Sequence, residues 1–145
     1  LTQLNFYLTF NGNCREAMMF YRDCLGGALA FQTVGETPLS DRLPKQMKDC
    51  ILHCTLTKEN WILMGSDLVE ESGLVRGNAI SLALNCSNEK EMRKCYEKLS
   101  AGGQATIPIA HTFWGALFGG LVDKYGHFWL LSKEERKRKT RITGF

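Results

Sequence analysis

Three histidines, six cysteines, Asp67, Asp123 and the run Thr112-Phe113-Trp114 are the side chains of this chain whose chemistry could serve more than folding. His53 stands between Leu52 and Cys54 in a run with strand-like alternation. Imidazole takes up and releases a proton near neutral pH without a large environmental shift, so His53 is the candidate general acid or base. The competing reading is a half-buried strand histidine making one hydrogen bond. His111 and His127 fall at loop or turn positions and read as solvent-facing. With no carboxylates at matching spacing, the three histidines predict no metal site.

The cysteines Cys14, Cys24, Cys50, Cys54, Cys86 and Cys95 contain no CxxC pair. Cys50 and Cys54 are four apart in an extended run, which at ~3.3 Å per residue separates their Cα atoms by ~13 Å, beyond bridging reach. Cys14, Cys24 and Cys95 sit in or beside predicted helices, where a free thiol behaves as a small hydrophobe. Free cysteines in a reducing, cytoplasmic setting are the expectation. Asp67, after Ser66, caps a turn, and Asp123 shapes the turn to Tyr125-Gly126. Phe113 and Trp114 project from a loop, where they plug a core, wall a ligand site or contact a second copy.

The elements that would position these groups repeat. Leu8-Thr9-Phe10-Asn11, a polar turn, a helical run to Tyr21-Arg22-Asp23-Cys24-Leu25 and Gly26-Gly27 are echoed by Leu82-Ala83-Leu84-Asn85, a polar turn, Tyr96-Glu97-Lys98-Leu99 and Gly102-Gly103. Strands are predicted over 4–10 and 28–34, then a hairpin over 50–57 and 61–64. The second half gives strands over 79–86 and 104–109, with Pro108 marking an edge, and a hairpin over 116–122 and 127–131. Helices lie between, the first capped by Asn13 and the second by Ser87 or Asn88 and running to Leu99. Residues 35–48 read as a loop or short helix, and 67–77 as the linker. Both halves are β-α-β-β-β, which is not the alternating pattern of a doubly wound parallel sheet. The Gly-Gly pairs follow helices, where C-capping accounts for them, and no glycine-rich phosphate loop follows a strand. Nucleotide or S-adenosylmethionine binding on a Rossmann-type fold is not expected.

A chain of 145 residues, 44% hydrophobic, suffices for one buried core, so 1–145 is read as one domain of two repeats, about 4–66 and 79–132, with a site between the halves. No apolar run approaches the ~20 residues of a membrane span, and no secretory leader pattern opens the chain. The tail over 133–145 holds 6 of the 18 basic residues against two of the 15 acidic ones, leaving a nearly neutral body. A solvated basic end is expected in preference to a nucleic-acid contact.

The duplication resembles the vicinal oxygen chelate superfamily, which includes glyoxalase I, bleomycin and fosfomycin resistance proteins and extradiol dioxygenases. More narrowly, Phe10-Asn11-Gly12-Asn13-Cys14 with Ala17 and Phe20-Tyr21, Leu63-Met64 followed by Asp67, Thr112-Phe113-Trp114-Gly115, Asp123, Gly126 and Trp129-Leu130 resemble its PhnB-like subgroup across residues 4–132. The resemblance implies an α+β fold in which the two modules form a cup-shaped, eight-stranded mixed sheet. It also implies metal-ligand positions at Phe6, Ala79 and Leu130, none of which can coordinate a divalent ion. The expectation is therefore a homodimer without metal or other cofactor, binding a small organic ligand in an apolar cup. The ligand-binding candidates are Phe6, Ala79, Asp67, Phe113, Trp114, Trp129 and Leu130. The alternative is an enzyme, a lyase, an isomerase or similar, using His53 as general acid or base.

Overall fold

The computed structural model describes residues 1–135. Strand β1 (Phe6–Thr9), helix α1 (Cys14–Leu25) and strands β2 (Ala28–Thr33), β3 (Ile51–Lys58) and β4 (Trp61–Ser66) form the first module. Strand β5 (Ser81–Asn85), helix α2 (Glu89–Ser100) and strands β6 (Gln104–His111), β7 (Ala116–Val122) and β8 (Phe128–Glu134) form the second. Three short 3-10 turns occupy the segment expected as loop or short helix between β2 and β3. The chain divides into two compact units, residues 1–75 and residues from 76 onward, a boundary inside the expected linker. The eight expected strands are arranged as two four-stranded mixed sheets, in the orders β1-β4-β3-β2 and β5-β8-β7-β6, giving the α+β class. In each sheet the first and last strands of the module pair in parallel and the other pairs are antiparallel.

Helix α1 buries Cys14, Ala17, Met18, Tyr21, Cys24 and Leu25, a stripe at three- and four-residue spacing that faces its sheet. Gly65 on β4 allows the close approach, because a Cβ there would stand 3.1–3.3 Å from Phe10, Cys14 and Met18. In the second unit a Cβ on Gly119 would stand 3.1 Å from the Tyr96 ring of α2. Helix α1 stops at Gly26, whose φ of 83° few other residues adopt. Lys58 Nζ donates to the Leu25 carbonyl at 2.7 Å and takes up one of the acceptors left at that end. In the second repeat Ala101 follows α2 and the left-handed residue is Gly102, one place later than the echo suggests.

The two helix starts differ. Asn88 caps α2 as expected, its Oδ1 accepting from Glu91 N at 2.8 Å, while Glu91 reaches back to accept from Ser87 N at 3.0 Å. Asn13 makes no side-chain cap on α1. Asp67, just beyond β4, takes that role: Oδ1 accepts from Gly12 N at 3.0 Å and Cys14 N at 2.9 Å, and Oδ2 accepts from Ile51 N at 2.8 Å. An ionised carboxylate is a stronger acceptor at a helix N-terminus than an amide, and here it reaches that end from a distant strand.

Strand β6 is an edge strand, as Pro108 suggested, and runs on to His111. Lys133 and Glu134 of the basic tail close β8 and Glu135 follows it; residues 136–145 lie outside the described residues. Among the described residues no helix is long and apolar enough to cross a membrane.

Asp67 is only 6% exposed, so removing its carboxylate strands three amides, at roughly 1–3 kcal/mol for each buried group. Asp67→Ala is expected to lose about 3 kcal/mol or more, read as a lower urea midpoint with unchanged slope. A midpoint equal to the parent's would show that the carboxylate does not hold the fold.

Candidate functional site

Strand register decides which side chains each sheet offers away from its helix, because neighbours along a strand point to opposite faces and paired residues share one. In the first unit Gly65 and the buried Leu63, Cys54 and Leu56 lie on the helix side. Phe6 pairs with Leu63 and so belongs by register to that side, where it stays exposed, and not to the face opposite the helix. Tyr7 pairs with Met64 and Gln32 with His53, which places these four on the opposite, helix-free face with Thr9 and Thr55. His53 Nδ1 and Tyr7 Oη are 3.4 Å apart, a long hydrogen bond, and their rings lie 5.8 Å apart between centroids. The strand positions of this face carry no carboxylate and no lysine or arginine.

In the second unit the buried Leu82, Trp129, Leu131 and Leu121 share the side of α2. Trp129 is 4% exposed and its indole N–H donates to Asp123 Oδ2 at 2.8 Å, so this residue is core and not ligand wall. Leu130 lies on the helix-free face, beside Ile107 and over Gly120, where a Cβ would come within 3.1 Å of Leu130 and 3.0 Å of Ile107. Phe118 and the Ser132–Asn85 hydrogen bond of 2.7 Å complete this face. Ala79 precedes β5 in an exposed bend. Thr112 closes the β6–β7 turn by exchanging hydrogen bonds with Ala116, leaving Phe113 and Trp114 at its tip. The Trp114 ring meets Phe118 edge-on at 6.1 Å, and Phe113 packs on Trp114 at 5.0 Å while remaining 97% exposed.

The expected site residues thus separate. Phe6 and Trp129 turn to the helix sides, and Asp67 has both oxygens engaged by backbone amides. His53, Leu130 and Trp114 stand on or against helix-free faces. Tyr7, the partner of His53, is the residue that reading the sequence for ligands passed over. Its signal was the alternation that puts Leu8 and the buried Phe10 on one side of the strand and leaves Tyr7 on the other.

No strand position marked by the resemblance offers a metal ligand, and among the described residues no group of three or more His, Cys, Asp or Glu could hold an ion. The residues present do not fit a divalent metal. Both helix N-termini, where a phosphate would bind, are taken by the chain's own Asp67 and Asn88.

A family model described as 3-demethylubiquinone-9 3-methyltransferase matches residues 2–132. Protein PA1353 from Pseudomonas aeruginosa is 34% identical, with 94% of this chain and 100% of that one covered, at a TM-score of 0.83. The PhnB protein from Bacillus cereus is 24% identical over 91% of this chain and 99% of its own, with a TM-score of 0.68. A glyoxalase-related enzyme from Fulvimarina pelagi is 23% identical over 92% and 88%, with a TM-score of 0.62. The last two likenesses bear on fold alone.

His127, expected to face solvent, is instead largely enclosed. Its Nε2 accepts from Arg76 Nη1 at 3.0 Å, and its Nδ1 lies 4.0 Å from Asp123 Oδ2. Burial, with Arg76 adding and Asp123 opposing, holds its pKa below the ordinary 6.5. The unfolded chain therefore binds this proton more readily than the folded one. The corresponding stability is full above pH 6.5 and is lost as pH falls through the lower folded value. The melting temperature is expected to fall below pH 6.5, and His127→Gln to flatten that part of the profile. An equally steep profile in the variant would assign the loss to other groups.

Proposed function

The chain belongs to this family, and from that premise we propose that it binds a small organic ligand without a metal, at the helix-free face that carries His53 and Tyr7. The observation that carries the reading is chemical: an imidazole and a phenol stand 3.4 Å apart on a face whose strand positions are otherwise uncharged. Thr9, Thr55 and Gln32 supply neutral donors and acceptors around them, a set suited to a ligand with a few polar atoms.

The methyl transfer in the family's description is not extended to this chain. Among the described residues no glycine-rich loop follows a strand to seat a nucleoside-type methyl donor, and both helix N-termini are capped by the chain itself. A second reading, an enzyme in which His53 moves a proton on an acidic C–H or O–H, is favoured by Tyr7, which can orient the imidazole or stabilise a developing oxyanion. Assembly as a homodimer belongs to the same proposal and is supported by the exposed Phe113.

Thermal-shift screening against metabolites, with and without EDTA, tests the binding. A ligand at a hundredfold its dissociation constant adds ~2.7 kcal/mol of stability. Stabilisation abolished by EDTA would remove the metal-free reading. With such a ligand in hand, His53→Ala should weaken binding about tenfold, the effect of ~1.4 kcal/mol from one lost hydrogen bond. Turnover lost in the variant would select the enzyme, and full affinity with no lost turnover would remove His53 from the site. Sedimentation equilibrium should give twice the chain mass, and a monomer would contradict the dimer.

A further inference from the structure

Two buried thiols in the first unit have no part in the reading above. Cys14 opens α1 and Cys54 lies in the middle of β3. Both are fully buried, both are free, and a hydrogen bond joins their side chains. Gly65 accounts for the contact. It pairs with Cys54 across the β3–β4 ladder, and Cys14 Sγ lies 3.2 Å from where its Cβ would be. The Cys14 thiol therefore rests over the glycine and meets the sulfur on the next strand. The two residues are far apart in sequence, so a bond between them would tie the start of α1 to the sheet beneath it.

We propose that Cys14 and Cys54 are a redox modification site that closes to an intramolecular disulfide when the protein meets hydrogen peroxide. The two sulfurs have different roles. The Cys14 thiol donates its hydrogen bond to Cys54, which favours the Cys54 thiolate. Losing that proton is disfavoured further by burial and by the nearby Asp67 carboxylate, which together keep Cys14 protonated. The Cys54 thiolate attacks one oxygen of the peroxide, the O–O bond breaks, and the departing hydroxide takes a proton to leave as water. Cys54 is then a sulfenic acid. The Cys14 sulfur attacks it, the S–S bond forms as the S–O bond breaks, and the second water leaves with the Cys14 proton. The peroxide is reduced to two waters and the two thiols are oxidised to one disulfide. Burial makes entry of the oxidant the slow step, through local opening at the first turn of α1, and the small size of peroxide suits that route.

The test exposes the full chain to hydrogen peroxide well below its melting temperature, alkylates it in denaturant without reductant, and maps the peptides. The expected result is a Cys14 peptide joined to the Cys54 peptide, with one pair of the six thiols no longer alkylatable. The oxidised protein should melt at a higher temperature and return to the starting value on reduction. Cys14→Ser should show neither the link nor the shift. The double variant Cys50→Ser, Cys86→Ser keeps the buried pair and removes the two partly exposed thiols, so it should form the same link. Cys14 and Cys54 recovered separately, a bond from either to another cysteine, or loss of the link in the double variant would overturn the proposal.

Discussion

One buried carboxylate holds together segments that the chain keeps far apart. Asp67 binds the turn before α1, the first residue of α1 and the first residue of β3 through three amides. Each amide would otherwise be an unpaired donor where α1, β3 and β4 meet, and each such donor costs as much as a good core contact contributes. The carboxylate also sets the positive end of α1 against a negative charge. Everything on the helix side of this sheet depends on that anchoring, including the contact of Cys14 with Cys54 and the stripe from Ala17 to Leu25. The opposite face can then be left free of a helix, with His53 and Tyr7 upon it.

The second unit meets the same need with other residues. Asp123 accepts from the amides of Tyr125 and His127 and from the Trp129 indole, so a second buried carboxylate locks a turn and fixes a core ring. Here it serves the β7–β8 turn, while the helix start is left to Asn88 and Glu91. The two units share the order of elements and the parallel closure of each sheet, and differ in their local fastenings.

How much of this was legible in the sequence depends on the range of the interaction involved. Alternation, helical spacing, glycine stops and the Asn88 cap are local, and they placed all eight strands and both helices within a few residues. The family followed from the motifs strung along those elements. The Asp67 cap was not legible as such, because its partners Gly12 and Cys14 are remote in sequence while Asn13 stood at the expected position. Face assignments went astray where alternation was not followed or was hidden. The alternation back from the buried Phe10 already put Phe6, itself exposed, on the helix side. In Phe128-Trp129-Leu130-Leu131 every residue is apolar, so only pairing with the buried Leu82 and the half-buried Leu84 shows which two face α2. His127 was read from turn position alone, without Arg76, which lies across the unit from it in sequence.

The parallel pairing of β1 with β4 has a consequence for how the first unit comes into being. β1 has no other strand beside it, so Phe6 stays without a hydrogen-bonded neighbour until Leu63 has been made. Asp67 follows within a few residues, so the partner of β1 and the cap of α1 leave the ribosome almost together. The helix before them is local and can form early, but it is fastened only then. The unit is thus a closure whose latch is synthesised last, and the long loop it closes sets a high entropic barrier to its folding.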